Sequence, residues 1–193
     1  MRRMLVLTIV AGLLTAGAAS CARETEASAP PTGEASAGNW PAGVEEADVY
    51  VQVLRRYLGT WTGNSVPDRT FETVYVLDHA YPDAGDPNGK HERSTPIRPD
   101  AQDQIRAALT RVAQVAFIAD GNTVIETKNG CAQVSDGGIL ITLGTANGDD
   151  HEVQVAVNGF AACLGATWLT YVLQNQPGSG WRVTGTTGLM AAS

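Results

Sequence analysis

The stretch GGILITLGTANGDDHEVQVAVNGF at residues 137–160 restricts the possible folds more than any other part of this 193-residue chain. Val153, Val155 and Val157 alternate with polar or small residues, the period of two expected of a strand with one buried face. Asn147-Gly148 stands between two such runs and predicts a hairpin turn. Pairing residues whose numbers sum to 294 sets Ile139 opposite Val155 and Ile141 opposite Val153, with Glu152 and Gln154 on the other face. Carried outward, the same ladder sets Cys131 opposite Cys163, with room for bulges at 136–138 and 158–159.

Upstream, residues 44–58 carry apolar side chains at 44, 47, 50, 51, 54, 57 and 58, a helical stripe with acidic residues early, Arg55 and Arg56 late, and Gly59 as a stop. Residues 71–78, FETVYVLD, read as a buried strand. A polar segment at 79–99 precedes a second helix starting at Asp100, with Ile105, Ala108, Leu109 and Val112 on one face. Residues 115–120 and 122–128 read as strands turning about Asp120-Gly121. Two last strands flank Pro177-Gly178. There a sum of 354 pairs Trp181 with Leu173, Val183 with Tyr171 and Gly185 with Leu169, an aromatic filling the space over a strand glycine.

This order predicts a single α+β domain over 44–193, with two amphipathic helices packed on one face of a curled, mostly antiparallel sheet of about six strands. A parallel strand–helix–strand crossover would make the sheet mixed. The final hairpin, with CLG leading into TYVL and then GWRV, resembles the closing hairpin of small exported cystatin or NTF2-like domains. No catalytic residues carry over from that resemblance.

The first forty residues have a different character. Arg2 and Arg3 precede an apolar run at 4–16, MLVLTIVAGLLTA, whose 13 residues fall short of the ~20 needed to span a bilayer. A basic start, a short apolar region and small residues after it predict a signal peptide over 1–20. At its end, Ala18-Ala19-Ser20-Cys21 resembles the lipobox of bacterial lipoproteins. The resemblance implies that Cys21 becomes the first mature residue and carries the lipid. Where that family prefers Leu, Ala18 stands, and cleavage after residues 16–18 is the competing outcome, leaving Cys21 a free thiol. Residues 21–43 are rich in Ala, Ser, Glu, Gly and Pro, a composition that favours a flexible tether. Acyl chains, at ~0.8 kcal/mol per buried methylene, hold such a chain on a membrane without a spanning helix. Trp40 is read as capping the edge of the domain.

With Cys21 set aside, Cys131 and Cys163 remain, and an oxidising compartment predicts a disulfide between them. No C-x-x-C spacing suggests redox chemistry. Net charge is −7, and −9 once Arg2 and Arg3 are removed; with no Lys/Arg cluster in the sequence, nucleic acid is not an expected partner.

The segment 78–100 holds the possible metal ligands His79, His91, Asp83, Asp86 and Glu92. Its DPNG resembles part of an EF-hand loop, yet Gly89 at the sixth position places Ala84 at the first and Thr95 at the twelfth, where carboxylates are required. No metal and no cofactor are expected, and the segment reads as a flexible surface loop. Asp78 and His79, as strand neighbours, are expected to point to opposite faces. His151 is read as part of a solvated turn. Trp168, Tyr171 and Trp181 form an aromatic cluster at strand spacing, read as core. No phosphate-binding or nucleophile-elbow motif occurs. The expectation is therefore a membrane-anchored lipoprotein with a non-catalytic binding or interaction domain, acting outside the cytoplasm. The alternatives are a cell-envelope hydrolase and a carrier of a small apolar ligand in a sheet cavity.

Overall fold

Helix α1, Glu46–Gly59, follows the apolar stripe, with Glu46 and Asp48 in its first turn and Arg56 in its last, as the helix dipole favours. The computed structural model describes residues 40–41, 44–59, 70–163 and 165–193; the expected signal peptide, Cys21 and nearly all of the expected tether lie outside the described residues. Beyond the stripe, α1 also buries Val49 and Val53 completely. The second helix, α2 (Pro99–Leu109), packs against α1. Pro99 opens α2 where a missing N–H is harmless, and Ala101, Ile105 and Leu109 are buried. Val112 lies past the helix end and is 46% exposed, so the expected stripe stops at Leu109. Among the described residues no helix is long and apolar enough to cross a membrane.

Among the described residues eleven strands form: β1 Thr73–Leu77, β2 His79–Ala80, β3 Thr95–Pro96, β4 Gln114–Ile118, β5 Ile125–Lys128, β6 Cys131–Val134, β7 Ile139–Leu143, β8 Asn147–Gly148, β9 Glu152–Phe160, β10 Ala166–Gln176 and β11 Gly180–Ala192. Seven belong to one sheet in the order β11-β10-β9-β7-β1-β4, with β8 pairing to β9; β2–β3 and β5–β6 are separate ribbons. β1 runs parallel to both β4 and β7, and the other pairs are antiparallel. The fold is thus α+β with a mixed, mostly antiparallel sheet, and β1–α2–β4 is a parallel crossover. One core joins Tyr50, Leu54 and Tyr57 of α1 to Ile105 of α2 and to inward side chains of the sheet such as Val76 and Val155.

Both expected hairpin registers are corrected. β7 and β9 pair with numbers summing to 300, setting Ile141 opposite Gly159 and Leu143 opposite Val157. The shift is even, so the inward faces are unchanged. Asn147-Gly148 is not the turn but strand β8, and the chain reverses at Asp150-His151. The Asp149 carboxylate accepts the backbone N–H groups of His151 and Glu152, both at 2.9 Å, a side-chain-driven turn that displaces the Asn-Gly one. Those N–H groups hold the Asp149 carboxyl below its ordinary range. In the last hairpin Leu173 faces Val183 and Asn175 faces Trp181, two residues from the expected register. Gly178 and Gly180, at φ 76° and 70°, set the turn where side chains are disfavoured. A further shift follows Val172, which faces Gly185, so the expected pairing of Gly185 with Leu169 does not form.

The expected hairpin about Asp120-Gly121 does not form. β4 pairs with β1 instead, and Asp120 caps a short helical turn by accepting the Asn122 N–H. Residues 125–128 pair with 131–134 around Asn129-Gly130, whose φ values of 55° and 78° suit a two-residue hairpin loop.

Cys131 and Cys163 are disulfide-bonded with Cα atoms 5.4 Å apart. With the β7–β9 register moved, that ladder does not bring them together. The contact arises because β6 lies beside the segment after β9: Gln133 bridges to Ala162, and the Val134 N–H donates to the Ala161 carbonyl at 2.9 Å.

Candidate functional site

A cleft of about 380 Å³ opens where the start of α1 meets the β2–β3 ribbon and the β7–β8 corner. Trp40, Glu46 and Tyr50 form one wall, Pro82 and Thr95 another, and Thr145 and Asn147 a third. Its volume falls within the range of small-molecule sites. The ribbon is pinned in place by the Tyr81 N–H, which donates to the Leu143 carbonyl at 2.8 Å. Tyr50 donates its hydroxyl to the Gly144 carbonyl at 3.0 Å and so ties α1 to the end of β7. Trp40 stands edge-on to Tyr50, ring centroids 5.1 Å apart, and packs on the core while facing the cleft.

Glu46 organises this wall. Its side chain is only 3% exposed, and its carboxylate accepts the Arg98 backbone N–H at 3.4 Å and Arg98 Nε at 3.3 Å. Arg98 is the residue before Pro99, and its own side chain makes no capping hydrogen bond. A carboxylate from α1 therefore sits at the N-terminus of α2, where the dipole favours negative charge. Sequence reading placed Asp100 at the start of that helix and counted Glu46 only among the acidic residues early in α1. Nothing in the local pattern singles out Glu46, because its partner is 52 residues away.

Burial raises the Glu46 carboxyl above its ordinary 4.5, opposed by Arg98 and a hydrogen bond from Trp40. A carboxyl raised on folding makes the folded state hold more protons than the unfolded one. Its contribution to stability is complete below pH 4.5 and is lost as the pH climbs through the folded value. The stability of the wild type relative to Glu46→Gln should therefore fall with rising pH across that window. Urea unfolding at a series of pH values measures the difference, and a rise instead of a fall would refute the assignment.

The other sequence candidates separate. Asp78 and His79 do not point apart: Asp78 Oδ1 and His79 Nδ1 lie 2.6 Å from each other. Asp78 is a bend between β1 and β2, so strand alternation is broken there. His91 packs its ring on Tyr81 at 4.9 Å, and its backbone N–H donates to Asp83 at 2.8 Å, which holds that carboxyl below its ordinary range. Asp86 accepts the Asn88 N–H at 2.8 Å. The loop's own backbone thus engages both carboxylates, and 79–99 forms turns and a ribbon rather than a featureless loop. Among the described residues no group of three His, Cys, Asp or Glu side chains could hold a metal ion. His151 is exposed beside Asp150 at 3.7 Å. The aromatic cluster divides: Tyr171 and Trp181 join the core, while Trp168 is half-buried on the alternate side of β10. Cys21 lies outside the described residues, and Cys131 and Cys163 form the bridge remote in sequence from the cleft residues.

No protein-family model matches this chain, and neither a curated protein nor a solved structure matches it.

Proposed function

We propose that this chain is an exported lipoprotein, anchored through Cys21 to the outer face of the cell membrane, whose α+β domain recognises a ligand at its surface without transforming it. In this reading both helices cover a single face of the sheet and so leave recognition to the rim. The observation that carries the binding part is the filled core: Tyr50, Tyr57, Leu54, Ile105 and Leu109 are fully buried beneath the helices. Side chains occupy the place where a carrier would hold an apolar ligand, which favours the surface cleft. Glu46, the one carboxylate among the described cleft-lining residues, is already engaged by Arg98 and Trp40, so it shapes the wall rather than meeting a substrate. Thr95, Thr145 and Asn147 provide hydrogen bonds beside the Trp40 ring, which suits a small ligand with both polar and apolar faces. The Cys131–Cys163 bridge supports an oxidising compartment.

Anchoring is tested by fractionating cells that express the wild type or Cys21→Ala, with acyl-chain labelling. The wild type should sediment with membranes and carry label; the variant should leave the membrane and carry none. An unlabelled wild type in the soluble fraction would overturn the anchor. For the cleft, Thr145→Trp should abolish crosslinks formed by a photoreactive residue at position 147 in intact cells, and unchanged crosslinks would rule the cleft out.

One observation favours a second reading, an envelope hydrolase: Asp78 orients the His79 imidazole as a base-orienting carboxylate does. Envelope-derived substrate turned over by the wild type but not by His79→Gln would establish it.

A further inference from the structure

Surfaces of two kinds meet in the cleft at the start of α1. Trp40 on one wall and Pro82 on another present apolar surface, while Thr95, Thr145 and Asn147 present groups that both donate and accept hydrogen bonds. Trp40, Thr95 and Thr145 are half-buried, and Pro82 and Asn147 are exposed, so each keeps surface to give to a ligand.

The Trp40 ring is a fixed platform. Its indole nitrogen can only donate, and its side chain hydrogen-bonds the buried Glu46 carboxylate. The ring also stands edge-on to Tyr50, whose hydroxyl is itself tied to the Gly144 carbonyl. Holding the ring from two sides before a ligand arrives lowers the ordering cost of binding.

The charges on the Glu46 wall disfavour ions. An anion would lie beside the Glu46 carboxylate, and a cation would compete for it with Arg98 Nε, 3.3 Å away. Threonine hydroxyls and an asparagine amide suit hydroxyl groups instead, which like them both give and take a hydrogen bond. The electron-rich face of an aromatic ring attracts the slightly positive hydrogens of C–H bonds. A pyranose ring with every substituent equatorial combines both properties: its two faces carry only C–H bonds, and its polar groups lie round the rim.

We propose that this cleft binds a β-linked pyranose of gluco configuration within an oligosaccharide, with a ring face on Trp40 and the rim groups on Thr95, Thr145 and Asn147. The inference rests on the reading of the cleft as a recognition site and names the class of ligand it takes. The group at C2 of the sugar, hydroxyl or acetamido, separates two sources: a glucan or an N-acetylglucosamine polymer.

The test uses the full chain carrying Cys21→Ala in a polyoxyethylene detergent, whose headgroup is not a sugar. Calorimetric titration with cellotetraose and with chitotetraose should show saturable binding of at least one, with an affinity that salt leaves unchanged. Trp40→Ala should weaken it about tenfold, and Trp40→Phe, which keeps an aromatic face, by less. Thr145→Val, which keeps the shape and loses the hydroxyl, should weaken it about fivefold. Thr187→Val, an equivalent change on exposed β11 outside the cleft lining, should bind as the parent does. Preference for cellotetraose supports the site with a glucan source, and preference for chitotetraose supports it with an acetamido source. Failure of both to bind, binding that Thr145→Val leaves unchanged, or binding that salt abolishes overturns the proposal. Photocrosslinking from position 147 separates this outcome from the fate of the cleft itself. Crosslinks that Thr145→Trp abolishes but neither tetrasaccharide competes keep the cleft and overturn the sugar, whereas crosslinks that Thr145→Trp leaves unchanged overturn the cleft. Trp40 packs on the core, so the Thr145→Val arm, with thermal unfolding coincident with the parent's, decides the matter if Trp40→Ala fails to fold.

Discussion

Replacing Cys131 and Cys163 together by Ser should lower the unfolding free energy by about 3 to 4 kcal/mol. The bridge closes a loop of sequence separation 32, and cross-linking a loop of that length chiefly restricts the unfolded chain. For a domain of this size the loss corresponds to a fall in Tm of roughly 10 °C. The effect should also be local. The β5–β6 ribbon reaches the neighbouring chain through the Gln133–Ala162 bridge and the Val134-to-Ala161 hydrogen bond, and the disulfide holds that junction. Without it, the amides of 125–134 should exchange with solvent earlier than those of β7 and β9. Thermal unfolding of the oxidised wild type, the double variant, and the double variant with reductant decides the matter. A midpoint shared by wild type and variant would refute the prediction, and reductant should leave the variant unchanged.

Gly159→Ala should destabilise the domain by about 3 kcal/mol, although strand propensity alone argues the other way. Glycine inside a strand is unfavourable by roughly 0.5 to 1 kcal/mol relative to alanine, so a site with free space would gain from the change. Gly159 has none, because Tyr57 of α1 lies across it. A Cβ there would stand 2.6 Å from Cζ and 2.9 Å from Cε1 of that ring, and would overlap its hydroxyl. Tyr57 is itself fully buried, with its ring held between helix and sheet, so relief requires α1 to move away from the sheet. The clash therefore outweighs the propensity gain. Urea unfolding of Gly159→Ala measures the loss. Adding Tyr57→Leu should recover part of it, since the two sites touch and their effects cannot simply add. A single variant as stable as the wild type would show that the ring has room to retreat.

The aromatic-over-glycine contact illustrates what could be read from the sequence. The expected register set Gly185 opposite Leu169 and called for an aromatic over that strand glycine, within one hairpin. The contact that forms joins Tyr57 to Gly159, from a helix and a strand about a hundred residues apart. Local periodicity identified α1, α2, β1 and the long strands, because burial of one face leaves its mark on every second or every third to fourth residue. Registers were less legible. The 137–160 hairpin closed on a turn set by the Asp149 side chain rather than at Asn147-Gly148, whereas the last hairpin turned at Pro177-Gly178 as expected, in another register. At Asn129-Gly130, where no hairpin was expected, a turn formed instead of the one expected at Asp120-Gly121.

The candidate sites follow the same division. Trp40 was visible as an aromatic at the edge of the domain, and Cys131 with Cys163 as an even pair. Glu46 and Arg98 carried no local signal, since their contact joins elements distant in the chain.

Composition and period alone set the class of the domain: α+β, with an outward and an inward face on each element. Those properties depend on each residue and its near neighbours, so one dimension is enough to express them. The tertiary structure decided which carboxylate caps which helix and which tyrosine packs over which glycine. Such outcomes depend on distances between remote segments, and those distances come into being only when the sheet assembles and the helices close over it.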